Sequence, residues 1–375
     1  MNNIPHWLET QRQKAANQFS QEGFPTTKNE DWKYTSLRAL SEKNWQKSDA
    51  KLHFLDNGLI VMDFFSALQH YPQEMEKYLP MFFNTTHQDA FYAFNTALFH
   101  QGFVVVVPEN KQVEEPIEIK YPSLLEGQMA CWRNLIILKK NARVAVIETF
   151  EFNEENASFH QAITEAYVDE GAQLQHYKKQ KESAKNFHIS ELFVKQQEHS
   201  HVESTVLSLQ GGFIRSDTHV RLEAPHAHCI LNGIALGQGK QMIDHHTTIE
   251  HLTPHGTSNE YYKGILKDDA HGVFNGKVIV SPQAVQTNAS QNNKTLLLSR
   301  MAQMNSKPQL EIFSDDVKCT HGSTVGQLDE EALFYLQARG IEHELAQQLL
   351  IKAFFSDLLD KMSSETIKKE VKTFL

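Results

Sequence analysis

The stretch DDVKCTHGSTVGQLD, residues 315–329, sets a thiol and an imidazole two positions apart. Successive side chains of an extended strand point to opposite faces, so Cys319 and His321 project from one side and Thr320 from the other. Thiolate and neutral imidazole are both metal ligands, so the pair is a candidate two-ligand half-site. The structural alternative is a thiol packed as a small hydrophobe, beside a histidine bonded to a neighbouring carbonyl.

The remaining cysteines, Cys131 and Cys229, are far from Cys319 and form no CxxC. An odd, scattered set points to neither a disulfide framework nor a closed zinc site, and fits a reducing compartment. About half of the 20 histidines crowd the stretch from His188 to His271. His226, His228, His245, His246, His251 and His255 fall at strand and turn positions without HExxH spacing, which reads as surface or turn histidines and not as a metal centre. No GxxxxGK[ST] phosphate loop and no GxSxG elbow occurs, so neither ATP chemistry nor an acyl-transfer triad is indicated. Glycine pairs in the strand-rich region mark bends.

A net charge of −10 without a basic stripe argues against nucleic acid as a partner. The first twenty residues lack an apolar leader core, and no apolar run is long enough to span a bilayer. The expectation is a cytoplasmic protein without a membrane partner.

Three regions must position the Cys–His pair. Residues 1–102 read as mostly helical: a helix over 5–20, a capping box from Thr27 to Glu30, and a helical stretch over 62–100 stopped by Gly102. Residues 103–328 read as short strands rich in Val, Ile, Thr and Phe. Within them a phrase recurs with drift, NARVAVIE, GAQLQHYK, HSHVESTV, HAHCILNG, DAHGVFNG, QAVQTNAS and DVKCTHGS. Its small residue is Ala142, Ala172, Ser200, Ala227, Ala270 and Ala284, with Val317 in the last copy. Stacked coils leave such self-similarity, each turning a corner on a small side chain, and the phrase puts Cys229 and Cys319 in equivalent slots. A two-sheet sandwich satisfies the strand pattern as well. Residues 329–375 are helical again. Asp329 caps EEALFYLQARG, with Leu333, Phe334 and Leu336 facing inward and Gly340 ending it. The following helix carries Ile341, Leu345, Leu349, Ala353 and Leu358 on one side, as a cap over the last coil or half of an interface.

NEDWKYTSL (29–37), DDVKCTHGSTVG (315–326) and LFYLQARGI (333–341) together resemble the SufB/SufD family of iron–sulfur cluster assembly proteins. The stretch HHTTIEHLTPHGTSNEYYKGILKDDAHGVFNGKVIV is similar to that family's central repeats. Gly322 after His321, where SufB carries a glutamate, the short chain and the few cysteines favour the SufD side. The resemblance implies a right-handed parallel β-helix between N-terminal and C-terminal helical regions, which decides between solenoid and sandwich. It further implies a non-catalytic scaffold subunit of a SufBCD complex. Such a subunit pairs with a SufB-like chain through the β-helix, docks a SufC-like ABC ATPase on residues 329–362, and binds no nucleotide itself. Cys319 and His321 carry over as ligands of a transient iron–sulfur cluster at the SufB–SufD interface.

A second class of reading is a β-helix enzyme acting on polysaccharide, for which Asp268, Asp269, Asp315 and Asp316 would have to converge on a groove. A third is a module without ligand, in which all three cysteines are replaceable.

Overall fold

The computed structural model describes residues 4–54, 60–83, 89–152 and 156–374. From Phe103 onward strand follows strand, and consecutive strands fall in alternate sheets, so the chain winds as a flattened parallel β-solenoid. One sheet runs from Phe103–Val107 through Gln128–Leu138, Phe159–Val168, Phe187–Gln196, Phe213–Leu222, Met242–His251 and His271–Val280 to Gln303–Ile312. The other runs from Ile117–Lys120 through Arg143–Glu151, Gln173–Lys181, His201–Gln210, His228–Gly237, Thr257–Leu266 and Thr287–Leu297 to Val317–Gly326. The solenoid also begins earlier than the strand-rich sequence does. Ile60–Asp63 and His53–Phe54 add antiparallel to the two starting edges.

Parallel pairing stacks equivalent residues about 4.8 Å apart. In the second sheet Val144, Leu174, Val202, Cys229, Ser258, Ala289 and Cys319 form one inward column. The repeated phrase conceals two different corners. Ala142, Ala172, Ser200 and Ala227 each precede a strand of the second sheet, as does Gly256, whereas Ala270 precedes a strand of the first and lies at the opposite edge. Ala284 sits three residues ahead of its strand, outside the slot. At the first of these corners His199, His226 and His255 all adopt φ of 56–61°, and their rings stack at 4.8 and 4.6 Å.

The N-terminal region covers the outer face of the first sheet. Phe91, Tyr92 and Phe94 of the Ala90–Leu98 helix meet Phe159, Ile163 and Phe193 there, and the buried Arg133–Glu165 pair is bonded to Tyr92, with Arg133 also reaching Thr96. The expected stretch over 62–100 is broken. Helices Phe64–His70 and Pro72–Tyr78 meet at Tyr71, because Pro72 opens the second one, while residues 84–88 lie outside the described residues. The Thr27–Glu30 capping box does not form, and Asn29 instead accepts from the Thr26 amide at 2.9 Å. Nor does Gly102 stop a helix. The helix ends at Leu98, and a Cβ on Gly102 would lie 1.6 Å from the Arg133 carbonyl oxygen, so glycine is required by a close backbone approach.

At the C-terminus Asp329 caps the Glu330–Ala338 helix through the amides of Glu331 and Ala332. The helices His343–Lys361 and Glu365–Phe374 do not cover the last coil. They turn back onto the outer face of the second sheet, where Phe355, Leu358, Leu359, Met362, Ile367 and Val371 meet Tyr177, Leu207, Ile234 and Ile265. Of the expected stripe Ile341, Leu345, Leu349, Ala353 and Leu358, only Leu358 is buried, Ile341 is half-buried and Leu345, Leu349 and Ala353 are exposed, and Phe334 is 72 % exposed instead of facing inward. Helical spacing is the same for a stripe that meets this chain and one that does not. Phe355 is fully buried, so Phe355→Ala is expected to cost about 3–5 kcal/mol. Urea unfolding followed by proteolysis of residues 343–374 reads this out.

Candidate functional site

The last strand, Val317–Gly326, alternates like those beneath it. Cys319, His321 and Ser323 point to the lumen, in the columns of Ala289, Gln291 and Asn293, while Lys318 and Thr320 point outward. No strand pairs with the outer edges of Gln303–Ile312 and Val317–Gly326 among the described residues. The solenoid therefore ends open, with sulfur and imidazole on its mouth. Met301 and Phe313, 63 % and 61 % exposed, stand on the same coil.

Cys319 is half-buried against Val278, Val280, Ala284 and Ala289, and burial pushes its thiol above the usual range. His321 is exposed. Beneath it Gln291 donates from Nε2 to Glu260 Oε2 at 2.6 Å, both side chains being buried. Burial lifts the Glu260 carboxyl to about 7, opposed by bonds from Thr247 and Gln291. Ser323 bonds to Ser306 at 2.7 Å, which ties the last two strands across the mouth. The sequence reading did not single out Gln291 or Glu260. Their signal was available only as polar residues at inward positions of strands whose register was unknown.

The other cysteines are sealed. Cys229 shares the Cys319 column three coils down, fully buried, and its thiol is raised by burial and by Glu260. Cys131 lies under the N-terminal region, with burial raising it to about 12. The structure does bring one serine, histidine and carboxylate together. Ser204 Oγ lies 3.1 Å from His176 Nδ1, and His176 Nε2 lies 2.8 Å from Glu148 Oε1, all within the closed lumen. With no groove above it, this is a satisfied polar core.

His245 and His251, read as surface or turn residues, are buried and bonded to Ser208 and Ser258 at 2.9 and 2.8 Å. Burial holds both near 4 and hence neutral. Among the described residues no three His, Cys, Asp or Glu side chains are placed to hold a metal ion. The four aspartates of the hydrolase reading do not converge. Asp268 and Asp269 lie where the chain passes from the second sheet to the first, and Asp315 and Asp316 where it passes back, at opposite edges of the coil.

Residues 123–354 match the family model of the SUF system iron–sulfur cluster assembly SufBD core domain. The chain belongs to the SufBD family. Residues 2–54 and 43–119 match the model of the SufBD N-terminal region. The chain is 29 % identical to the iron–sulfur cluster assembly protein SufD of Escherichia coli over 386 residues, covering 96 % of this chain and 90 % of that one. It is 28 % identical over 399 residues to a SufBD family protein of Synechocystis, covering 95 % and 87 %. With the chloroplastic protein ABCI7 of Arabidopsis thaliana it shares 31 % identity over 319 residues, 82 % and 67 % of the two chains. The SufBD chain described here is thus an iron–sulfur cluster assembly component built as a parallel β-solenoid, and no helix among its described residues is long and apolar enough to cross a membrane.

Because Glu260 binds its proton more tightly folded than unfolded, its contribution is complete below about pH 4.5 and is lost as pH rises through about 7. Urea unfolding across that window is expected to show a decline of up to ~3 kcal/mol that Glu260→Gln removes.

Proposed function

We propose that this SufBD chain is the non-catalytic, SufD-like scaffold subunit of a SufBCD complex in the cytoplasm. It pairs with a SufB-like subunit through the open end of the solenoid, and Cys319 and His321 contribute ligands to an iron–sulfur cluster held transiently between the two chains. The observation that carries this reading is the uncapped mouth, where thiol and imidazole share the lumen-facing side of the terminal strand and the unpaired strand edges invite a second chain. Cluster is cargo here. A site completed only by a partner forms when the complex assembles and opens when it loosens, which suits hand-over.

The ATPase-docking role falls to the C-terminal helices. Asp329–Ala338 and Leu350 line an open groove of about 850 Å³ in which Phe334 and Tyr335, 72 % and 56 % exposed, are the aromatic anchors. Exposed aromatics of this kind are typical binding hot spots. The SufC-like partner supplies nucleotide hydrolysis, since this chain carries no phosphate loop.

Co-expression with the two companion subunits, followed by anaerobic reconstitution, tests the cluster site. Cys319→Ala and His321→Ala are each expected to reduce bound iron and sulfide while leaving the complex intact on gel filtration. Unchanged loading in both removes the ligand assignment. Separately, Phe334→Ala is expected to weaken ATPase binding more than about tenfold, or ~1.4 kcal/mol, in a chain with an unaltered unfolding midpoint. Binding at wild-type strength sinks the docking assignment.

A further inference from the structure

Away from the mouth, the N-terminal segment from Glu22 to Trp32 and the outer face of the first sheet enclose a groove of about 950 Å³, within the size range of small-molecule sites. Six carboxyl-bearing residues line it, Glu22, Glu30 and Asp31 on the N-terminal segment and Asp89, Glu191 and Asp217 beneath, with one deep guanidinium, Arg215. Arg215 is fully engaged. Its Nε donates to Asp217 at 3.0 Å, one terminal nitrogen donates to the Asp31 carbonyl at 2.7 Å and to Asp244 at 3.1 Å, and its plane lies 3.7 Å from the Trp32 ring centroid. The rim lysines are paired as well, Lys277 with Glu311 and Lys307 with Glu30.

Asp89 and Glu191 form no ion pair among the described residues, although Arg215 acts on both at longer range and Arg133 and the buried Lys178 act on Glu191. Asp89 accepts only from the backbone amides of Phe91 and Tyr92, at 2.7 and 3.1 Å. Glu191 is 1 % exposed, lines the groove, and has a single hydrogen bond, from Gln161 Nε2, stretched to 3.5 Å. Its nearest deep guanidinium on the other side, Arg133, is held by Glu165, Tyr92 and Thr96. A buried carboxyl with no good donor is costly, and this one faces an open groove. A metal ion is the wrong match, because no three ligating side chains among the described residues are placed to hold one.

We propose that this groove binds an organic cation, a compound with a primary amine or guanidinium head group that pairs with Glu191 and Asp89. The groove is far larger than one ammonium ion, so the ligand carries an aliphatic body as well. Its binding depends on pH. Burial and the neighbouring carboxylates hold Glu191 well above its usual range and Asp89 at about 6, so a bound cation displaces protons from the pair. His219 and His246 also line the groove, His246 at 2.9 Å from Asp244. Arg215 stays charged throughout.

Isothermal titration of agmatine, which carries both head groups, into the full chain is the direct test. The expected result is one saturable site at neutral pH, weakened at least about tenfold near pH 5 and accompanied by proton release that differs in heat between two buffers. Glu191→Gln is isosteric, and Asp89→Asn keeps the helix cap. Each is expected to weaken agmatine at least about tenfold, with the unfolding midpoint confirming the fold, and either one suffices if the other does not fold. The proposal is overturned by no saturable heat at millimolar agmatine or spermidine, by wild-type affinity in the folded variants, or by displacement of agmatine by low Mn²⁺.

Discussion

The parallel hydrogen-bond ladder is the constraint on which everything else in this molecule depends. Once one coil is laid down, each later coil satisfies its backbone by matching the register beneath it, so side chains far apart in sequence are forced into columns. A ladder has to end, however, and its last strands expose donors and acceptors that nothing in the column supplies. Here the C-terminal helices, which could have closed that end, are drawn instead to the apolar outer face of the second sheet. The mouth stays open on the coil that bears Cys319 and His321.

The same register explains why the lumen tolerates polar groups. Inward columns begin with Val144 and Val146 and then admit His176, Ser204, Glu260 and Gln291, each able to find a neighbour one coil away. Burial alone would raise Glu148, yet His176 and Lys178 hold it at about 2, because Lys178 stacks directly on it and His176, above Val146, bonds to it at 2.8 Å. Such bonds are intolerant of a shifted pairing, since a one-residue slip would turn each partner outward. Polar columns thus reinforce the register that creates them.

Outside the lumen, the segment around Trp32 works as a strap across successive coils. Asp31 and Trp32 hold Arg215, Thr35 donates to Asp244 at 2.6 Å, and Glu30 pairs with Lys307 on the last strand of the first sheet. Residues near position 30 thereby fasten coils built nearly 200 to 280 positions later. These long-range contacts order the N-terminal region over the sheet, and they wall the groove beside it.

Much of this was legible in the amino-acid order. Strand period and the equivalence of Cys229 with Cys319 are periodic properties that a repeated phrase carries, and the cap at Asp329 is a local one, whereas the phrase ran two different corners together. What failed to show was whatever depends on which surface meets which. Leu345, Leu349 and Ala353 have the spacing of a packed face but look outward while Leu358 of the same stripe is buried, and His245 and His251 have the composition of surface residues but lie inside. Gly102 reads as a helix stop and proves to be a point of backbone approach. Alternation along one strand put sulfur and imidazole on a common side. Only the stacking of coils from distant parts of the chain decided that this side is the lumen, that Gln291 and Glu260 lie beneath it, and that none of the described helices closes it, because a single strand does not encode its neighbours.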